Sequence, residues 1–168
     1  MAQLTCQRLC VGYEGKSVLQ ELNFEVFAGD YLCIVGENGS GKTTQILKLK
    51  EHLMQHGYDE VVVTREPGGT VISEAVRGIL LNREYAEMDD HTEALLYAAA
   101  RAQLVAQVIK PALDAGKAVI SDRFVDSSAV YQGMARGLGV EKIYELNGFA
   151  MQGIWPDLTI HLDLPAEV

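Results

Sequence analysis

The stretch Gly36-Glu-Asn-Gly-Ser-Gly-Lys-Thr43 decides the fold. It fits the pattern G-x-x-x-x-G-K-[ST], and its surroundings agree, because an apolar run at residues 31–35 precedes it and a helical pattern at residues 42–56 follows it. Small residues let successive backbone N–H groups curl around a phosphate, and the N-terminus of the following helix adds partial positive charge. The stretch therefore predicts a binding site for a purine nucleoside triphosphate.

Two side chains of this loop have predicted chemical roles. The Lys42 ammonium would reach the β- and γ-phosphates, and the Thr43 hydroxyl would bind Mg²⁺. The loop alone leaves open where the γ-phosphate goes. The residues predicted to contact ATP are Gly36, Asn38, Gly39, Ser40, Gly41, Lys42, Thr43 and Thr44.

Strands and helices alternate downstream of the loop. Apolar strands are predicted at residues 60–64, 118–121 and 158–162, and helices at residues 71–81 and 92–115, with a kink at Pro111. This alternation predicts an α/β fold of the P-loop NTPase class, with a doubly wound, mainly parallel sheet and helices on both faces. Short strand-like runs separated by glycines predict a small antiparallel meander at residues 1–30, followed by a nucleoside monophosphate kinase-like core at residues 31–168.

Composition restricts the partners and the compartment. The chain has 168 residues, with 23 acidic and 14 basic side chains, so its formal net charge is −9. An acidic chain without a basic stripe is a poor candidate for nucleic acid or an anionic membrane surface. We find no secretory or membrane-spanning segment, and we expect a soluble cytoplasmic domain in which Cys6, Cys10 and Cys33 stay reduced.

Asp122 and Arg123 follow the strand predicted at residues 118–121. A carboxylate at the C-terminal end of a parallel strand suits Mg²⁺ bound through water. Hydrolytic ATPases need a carboxylate or an amide to orient water, whereas a guanidinium suits a bidentate phosphate clamp. This pair therefore favours phosphoryl transfer to a second phosphate over hydrolysis.

Arginines supply the local cations that an acidic protein needs to hold two anionic nucleotides. Tyr97 and Arg101 are four residues apart and share one helix face, so the ring could stack on a base while the guanidinium bonds its edge. Arg65 and Glu66 leave the second strand in a turn that contains Pro67. The arginines expected to gather are Arg65, Arg101, Arg123 and Arg136.

From about residue 43 onward the chain resembles bacterial thymidylate kinases. The segments that carry the resemblance are GKTTQ (41–45), TREPGGT (64–70), TEALLYA (92–98) with RAQ (101–103), VIKPAL (108–113), DRF (122–124), DSS (126–128), YQG (131–133), RGLG (136–139) and PDLTI (156–160). The resemblance implies transfer of the ATP γ-phosphoryl group to dTMP, with Mg²⁺ as the cofactor and a homodimer as the typical assembly.

The resemblance also implies roles for the acceptor side. Tyr97 would stack on thymine, Arg101 and Gln132 would contact the edge of the base, and Ser127 and Ser128 would lie beside it. Tyr131 would crowd the 2′ position of the sugar. Arg123 and Arg65 would hold the acceptor phosphate, with Glu66 and Pro67 in the same turn, and the residues implied in catalysis are Lys42, Asp122 and Arg123.

The first 42 residues resemble instead the start of an ABC transporter ATPase subunit, in which Tyr13 would stack on adenine. We interpret the chain as a chimera joined at the phosphate loop. Two departures predict weakened kinase activity: Asn38 stands where thymidylate kinases usually carry an acidic residue, and the chain ends before the lid and last strand of that family. Two alternatives therefore stay open, an ABC-type ATPase and a non-catalytic nucleotide-binding protein.

Overall fold

A computed structural model describes residues 4–13, 16–27, 29–36 and 39–162. The strands are β1 (Leu4–Tyr13), β2 (Lys16–Val26), β3 (Tyr31–Gly36), β4 (Val61–Arg65), β5 (Ala118–Asp122) and β6 (Leu158–Leu162). The α-helices are α1 (Lys42–Gln55), α2 (Val71–Leu81), α3 (Asp90–Leu104), α4 (Lys110–Asp114), α5 (Val125–Ser128) and α6 (Val140–Ala150). Two π-helical segments, Val105–Ile109 and Ala129–Ala135, and a 3₁₀ turn, Arg83–Tyr85, complete the elements.

Four strands form one sheet in the order β4-β5-β3-β6. Strand β3 pairs in parallel with β5 on one side and with β6 on the other. The chain runs from β3 outward to β4 and later crosses to β6 beyond the opposite side of β3, so the sheet is doubly wound. The predicted fold class, an α/β P-loop NTPase fold, is confirmed.

The N-terminal strands form a two-stranded antiparallel hairpin. Its register runs from Leu4 opposite Val26 to Tyr13 opposite Lys16, with irregularities after Cys6, Leu9 and Val11. The sequence predicted a meander of short strand-like runs, whereas the structure has two longer strands. Residues 17–26 all lie in β2, because β-bulges can absorb an irregular pattern without ending a strand.

The chain divides into two compact units, which we call the sheet unit and the helical unit. The sheet unit contains Met1–Val63, Ala112–Asp122 and Pro156–Val168, and the helical unit contains Thr64–Pro111 and Arg123–Trp155. The sequence predicted a domain boundary at residue 30, between the N-terminal meander and the kinase-like core. The two compact units divide the chain differently, and the predicted boundary stays a prediction.

Apolar side chains of α1 pack on the strands of the sheet unit. Ile46 and Leu53 lie seven residues apart, on one face of the helix, and are 3% and 0% exposed. They share a core with Leu32, Ile34 and Ile120. Complete burial of a side chain such as Leu53 contributes roughly 1.5–3 kcal/mol. This packing fixes α1 on the sheet, and with it the position of the phosphate loop that joins them.

Side-chain caps set where the helices of the helical unit begin. The Thr70 Oγ1 accepts a hydrogen bond from the Ser73 N–H at 3.0 Å, so α2 has the bounds that the sequence predicts. Asp89 accepts from the N–H groups of His91 and Thr92, and α3 therefore begins at Asp90, two residues before the predicted start.

The predicted helix at residues 92–115 is not a single regular α-helix. A π-helical segment, Val105–Ile109, lies between α3 and α4. The ring of Pro111 would clash with the carbonyl of Gln107 in a regular α-helix, and the wider π-helical turn avoids that clash. Within the described ranges, the helices are all too short or too polar to cross a lipid bilayer.

Candidate active site

The phosphate loop depends on glycine geometry. Gly36 ends β3 with φ at 153°, and a Cβ there would lie 2.8 Å from the Leu162 carbonyl oxygen and 2.9 Å from the Ser40 Oγ. Gly39 and Gly41 have φ angles of 87° and 83°, which L side chains rarely adopt. A side chain at any of these three positions would distort the loop. Asn38, predicted to contact ATP, lies outside the described residues.

The first turn of α1 has features that favour the binding of an anion. Its N-cap is Gly41, which offers no side-chain cap, and the turn contains no acidic residue. Thr43 and Thr44 are exposed on that turn. The partial positive charge of the helix N-terminus is therefore not neutralised by a local side chain.

Two further side chains belong to this loop. Lys42 is only 7% exposed, and its Nζ donates to the Gly36 carbonyl oxygen at 2.8 Å. The lysine thus folds back over the loop and points its charge inward. The Ser40 Oγ is buried and has no hydrogen-bond partner among the described residues. An unsatisfied buried hydroxyl is costly, and a bound polar ligand would remove that cost.

Asp122 lies in the sheet unit with the phosphate loop. It ends β5 opposite Ile34 in the parallel ladder, two residues before Gly36. Its Oδ1 is buried and makes no hydrogen bond to any described residue. The described part of the chain holds no cluster of three or more His, Cys, Asp or Glu side chains that could bind a metal by itself.

A buried ion pair lies at the centre of the helical unit. The Glu66 Oε2 accepts from the Arg101 Nε at 2.7 Å, and the Arg101 Nη2 lies 2.6 Å from the same oxygen. The two side chains are 4% and 2% exposed. Burial raises the pKa of the Glu66 carboxyl, and the Arg101 guanidinium opposes that shift. Most arginines are solvated surface groups, but Arg101 is a buried one whose charge is compensated.

Three more residues hold the Arg101 guanidinium. Asn147 of α6 accepts from Nη1 through its Oδ1, and Ser128 accepts from Nη2 at 3.2 Å. The guanidinium carbon lies 5.2 Å from the centroid of the Phe124 ring, within cation–π range. Asn147 was not among the predicted site residues, because the helix that carries it was not predicted.

Tyr97 lies one helical turn before Arg101 on α3 and is half-buried. Burial raises the pKa of its hydroxyl, and the Glu93 carboxylate raises it further. The phenol is therefore neutral at physiological pH. The charges of Arg77 and Arg123 act on it with the opposite sign.

Arg77 is a cation near Tyr97 that the sequence analysis did not identify. It lies on α2, and its Nη1 donates to the Pro67 carbonyl oxygen at 2.8 Å. The pattern of α2 predicts only an amphipathic helix and does not single out this residue.

Arg123 has an unusual backbone. Its φ is 70°, in the left-handed region that costs an ordinary L residue about 1–2 kcal/mol. Its guanidinium carbon lies 5.9 Å from the centroid of the Tyr131 ring. Strain of this kind persists where the surroundings fix it, often at functional sites. The Ser127 N–H bonds to the Phe124 carbonyl oxygen at 3.1 Å and so closes the turn after Arg123.

Gln132 and Arg136 both contact Glu93 of α3. The Gln132 Nε2 donates to the Glu93 Oε1 at 2.7 Å, and the Arg136 Nη2 donates to the Glu93 Oε2 at 3.1 Å. The Arg136 Nε also lies 3.4 Å from Asp90, and the adjacent Glu93 raises the pKa of Arg136. Arg136 thus contacts two carboxylates of α3, and its gathering with the other arginines around an anion stays a prediction.

Arg65 is an exposed cation at the end of β4. Its Nη2 lies 3.2 Å from Glu74 Oε1, and the Arg65 and Glu74 side chains are 59% and 42% exposed. The backbone N–H of Gly69, followed by Arg65, lowers the pKa of Glu74. Because this pair is exposed, it is weak, and Arg65 can exchange Glu74 for another anion at little cost.

The predicted site residues therefore form two groups. The described ATP-contacting residues and Asp122 lie in the sheet unit, and the predicted acceptor residues all lie in the helical unit.

The family model for thymidylate kinase matches residues 34–168. The chain belongs to the thymidylate kinase family.

Individual proteins agree with that assignment. The chain is 54% identical over 140 residues to a thymidylate kinase from Geobacillus thermodenitrificans, which covers 83% of this chain and 62% of that protein. It is 50% identical over 140 residues to a thymidylate kinase from Limosilactobacillus fermentum, covering 83% of this chain and 65% of that one. The chain thus spans slightly less than two thirds of the length of these relatives.

A solved structure is also similar. The crystal structure of a thymidylate kinase from Ehrlichia chaffeensis matches with a TM-score of 0.73 and 39% sequence identity, covering 80% of this chain and 74% of that chain. The matched proteins are thymidylate kinases, and they lend no support to an ABC-type N-terminus or an ABC-type activity.

Proposed function

We propose that this protein transfers the γ-phosphoryl group of Mg-ATP to dTMP and releases dTDP and ADP. An oxygen of the dTMP phosphate forms the new bond to the γ-phosphorus, and the bond from that phosphorus to the β,γ-bridging oxygen breaks. Family membership and the thymidylate kinases that the chain resembles support the reaction class.

The phosphate loop would bind the donor. The uncapped first turn of α1 suits the phosphates, and Lys42, already folded over the loop, would neutralise charge on the β- and γ-oxygens. The buried and unpaired Ser40 hydroxyl would gain a phosphate partner. Gly36, Gly39, Gly41, Thr43 and Thr44 would complete the cradle, with Asn38 contributing from outside the described residues.

Mg²⁺ would be held by Thr43 and Asp122. The orphaned Oδ1 of Asp122 supports this, since a buried carboxylate oxygen without a donor suits a cation or its water shell. When bound, Mg²⁺ neutralises charge that develops on the transferring phosphoryl group.

The acceptor side combines two kinds of arginine. Arg101 carries a charge that Glu66 compensates, so it acts as an aimed hydrogen-bond donor rather than as a free cation. Such a donor suits the uncharged edge of a pyrimidine. Arg123 would hold the dTMP phosphate together with the exposed Arg65, whose partner Glu74 is readily exchanged.

The remaining acceptor residues would shape the pocket. Tyr97 is a neutral ring that would stack on thymine, and Gln132 would meet the edge of the base. Ser127 and Ser128 would lie beside the base, and Tyr131, which the Arg123 guanidinium approaches, would crowd the 2′ position. Glu66 would hold the Arg101 guanidinium, and Pro67 would lie beside Glu66 in the same turn.

One observation carries the proposal, namely the charge-compensated Arg101 one helical turn from the neutral ring of Tyr97. An enzyme that only hydrolyses ATP needs no second base-binding site, such as an aromatic ring beside a buried guanidinium. The homodimer, the cytoplasmic location, the weakening effect of Asn38 and the chimeric origin of the first 42 residues stay predictions.

A coupled assay of ADP formation tests the proposal. With Mg-ATP present, we expect ADP formation to require dTMP and to disappear in Lys42→Ala. Asp114→Asn is a suitable control, because Asp114 is an exposed residue of α4, outside the proposed site. ADP formation that is independent of dTMP would refute the proposal, and calorimetric binding of ATP and dTMP without turnover would support the non-catalytic alternative.

A further inference from the structure

We infer that Glu93 is a positioning residue that sets which end of the Gln132 amide faces the nucleotide, and so sets the preference for thymine over cytosine. This inference rests on the proposed function, in which Gln132 meets the edge of the base. It concerns a residue that does not itself contact the nucleotide.

The carboxylate of Glu93 decides the orientation of the amide. An ionised carboxylate only accepts hydrogen bonds, so the Gln132 group that bonds to it must be the donor, Nε2. The distance from Nε2 to the Glu93 Oε1 is 2.7 Å, and Gln132 is only 3% exposed. A buried amide held in this way cannot exchange its two ends without losing the bond. The acceptor end, Oε1, is therefore the end left for a ligand.

Glu93 has a second partner, Arg136. The Arg136 guanidinium donates to its second oxygen, Oε2, at 3.1 Å. Arg136 is in turn anchored on Asp90, one residue after the cap of α3. The two Glu93 oxygens thus have separate partners, one on Gln132 and one on Arg136. The hydrogen bond that joins the Gln132 side chain to Glu93 is made through Nε2 and leaves Oε1 at the other end of the amide.

Three residues of α3 that belong to the proposed acceptor site, or orient a residue of it, lie at regular spacing. Glu93, Tyr97 and Arg101 follow at intervals of four residues and so share one helix face. Along α3, Tyr97 lies between Glu93, which orients the Gln132 acceptor, and Arg101, which is itself a donor. An acceptor from Gln132 and a donor from Arg101 match thymine, which offers the N3–H donor and the O4 acceptor. Cytosine offers the opposite pair, an acceptor at N3 and an amino donor at C4.

Calorimetric titration of dTMP and dCMP tests the inference. In wild-type protein we expect dTMP to bind more tightly than dCMP. In Glu93→Gln the neighbouring amide can accept as well as donate, so Gln132 can turn its Nε2 toward N3 of cytosine. We expect the ratio of dTMP affinity to dCMP affinity to fall about 10-fold, the worth of one well-placed hydrogen bond, with part of the change a gain in dCMP binding. A purely structural role for Glu93 would weaken both nucleotides and produce no such gain.

Two variants serve as controls. Arg136→Gln removes a partner of Glu93 but leaves its carboxylate, so we expect the ratio to stay within about 3-fold of wild type. Glu145→Gln makes the same chemical change at an exposed position of α6 and should leave the ratio unchanged. Glu93→Ala, which also releases the amide, replaces Glu93→Gln if that protein does not fold.

The outcomes of these titrations test the role of Glu93 separately from the proposed kinase function. A Glu93→Gln protein that keeps the wild-type ratio would overturn the orienting role of Glu93 alone. An equal fall in Arg136→Gln would also overturn it, because the effect would then come from the charge network rather than from the acceptor. Wild-type protein that binds neither nucleotide would overturn the proposed function and, with it, this inference.

Discussion

Glu66 binds Arg101 through a single oxygen, Oε2, which lies 2.7 Å from Nε and 2.6 Å from Nη2. The other oxygen of the carboxyl, Oε1, is buried and has no partner among the described residues. The pair joins the residue that follows β4 to the last turn of α3, across 35 positions in the chain. It both stabilises the helical unit and aims the guanidinium, and the two effects can be measured separately.

Removal of the Glu66 charge should destabilise the protein strongly. Glu66→Gln leaves the Arg101 charge buried and uncompensated, so we expect a loss of about 3 kcal/mol in the free energy of unfolding. Urea denaturation measures this loss. Glu74→Gln makes the same change in the exposed pair with Arg65 and should cost less than about 1 kcal/mol. Equal effects in the two variants would refute the distinction between the pairs.

The cap of α2 should contribute a moderate amount of stability. Thr70→Ala removes the oxygen that accepts from the Ser73 N–H, and we expect a loss of about 1 kcal/mol in the free energy of unfolding. Thr70→Ser keeps the hydroxyl and should recover most of that loss. A Thr70→Ser protein as unstable as Thr70→Ala would show that the methyl group, rather than the cap, carries the effect.

Tyr97 should act through its ring rather than through its hydroxyl. Tyr97→Phe should keep dTMP affinity within about 3-fold, whereas Tyr97→Leu should weaken it about 10-fold or more, because base–aromatic stacking is worth about 1–3 kcal/mol. Steady-state KM values for dTMP and ATP measure the difference. We expect the KM for ATP to stay unchanged in both variants, and a parallel rise in both KM values would argue against a role in the acceptor site.

Acid should remove the contribution of Glu74 to stability. The Gly69 N–H and Arg65 hold the pKa of Glu74 below its usual 4.5, so the folded state favours the charged carboxylate. Stability from such a group is fully present above pH 4.5 and is lost as the pH falls through the lower folded pKa. The difference in unfolding free energy between wild type and Glu74→Gln should therefore be constant near neutral pH and close in acid. A gap that widens in acid would contradict the direction of the shift.

Much of the fold follows from local sequence patterns. The strands at residues 31–36, 118–122 and 158–162, and helices α1 and α2, are close to their predicted bounds because each contains a clear apolar pattern. The π-helical turn before Pro111 was not predicted, because the proline signals a disturbance but not the form it takes. Helix α6 was missed altogether, and Asn147 was missed with it.

The candidate site was predictable in its residue types but not in its pairings. The sequence placed Tyr97 and Arg101 on one helix face, which four-residue spacing guarantees. It could not show that Glu66 and Asn147, 35 and 46 positions away from Arg101, would converge on one guanidinium. Nor could it show that Arg136 is committed to Glu93, because contacts between distant segments depend on packing rather than on local pattern.

The most direct test of the account follows the γ-phosphoryl group itself. ATP labelled in the γ-phosphate is incubated with Mg²⁺, dTMP and the protein, and the label is separated into dTDP and inorganic phosphate. We predict that the label appears in dTDP, in a larger amount than in inorganic phosphate, and that Lys42→Ala transfers none. Label that appears only in inorganic phosphate, or dTDP no more abundant than with Lys42→Ala, would contradict the account.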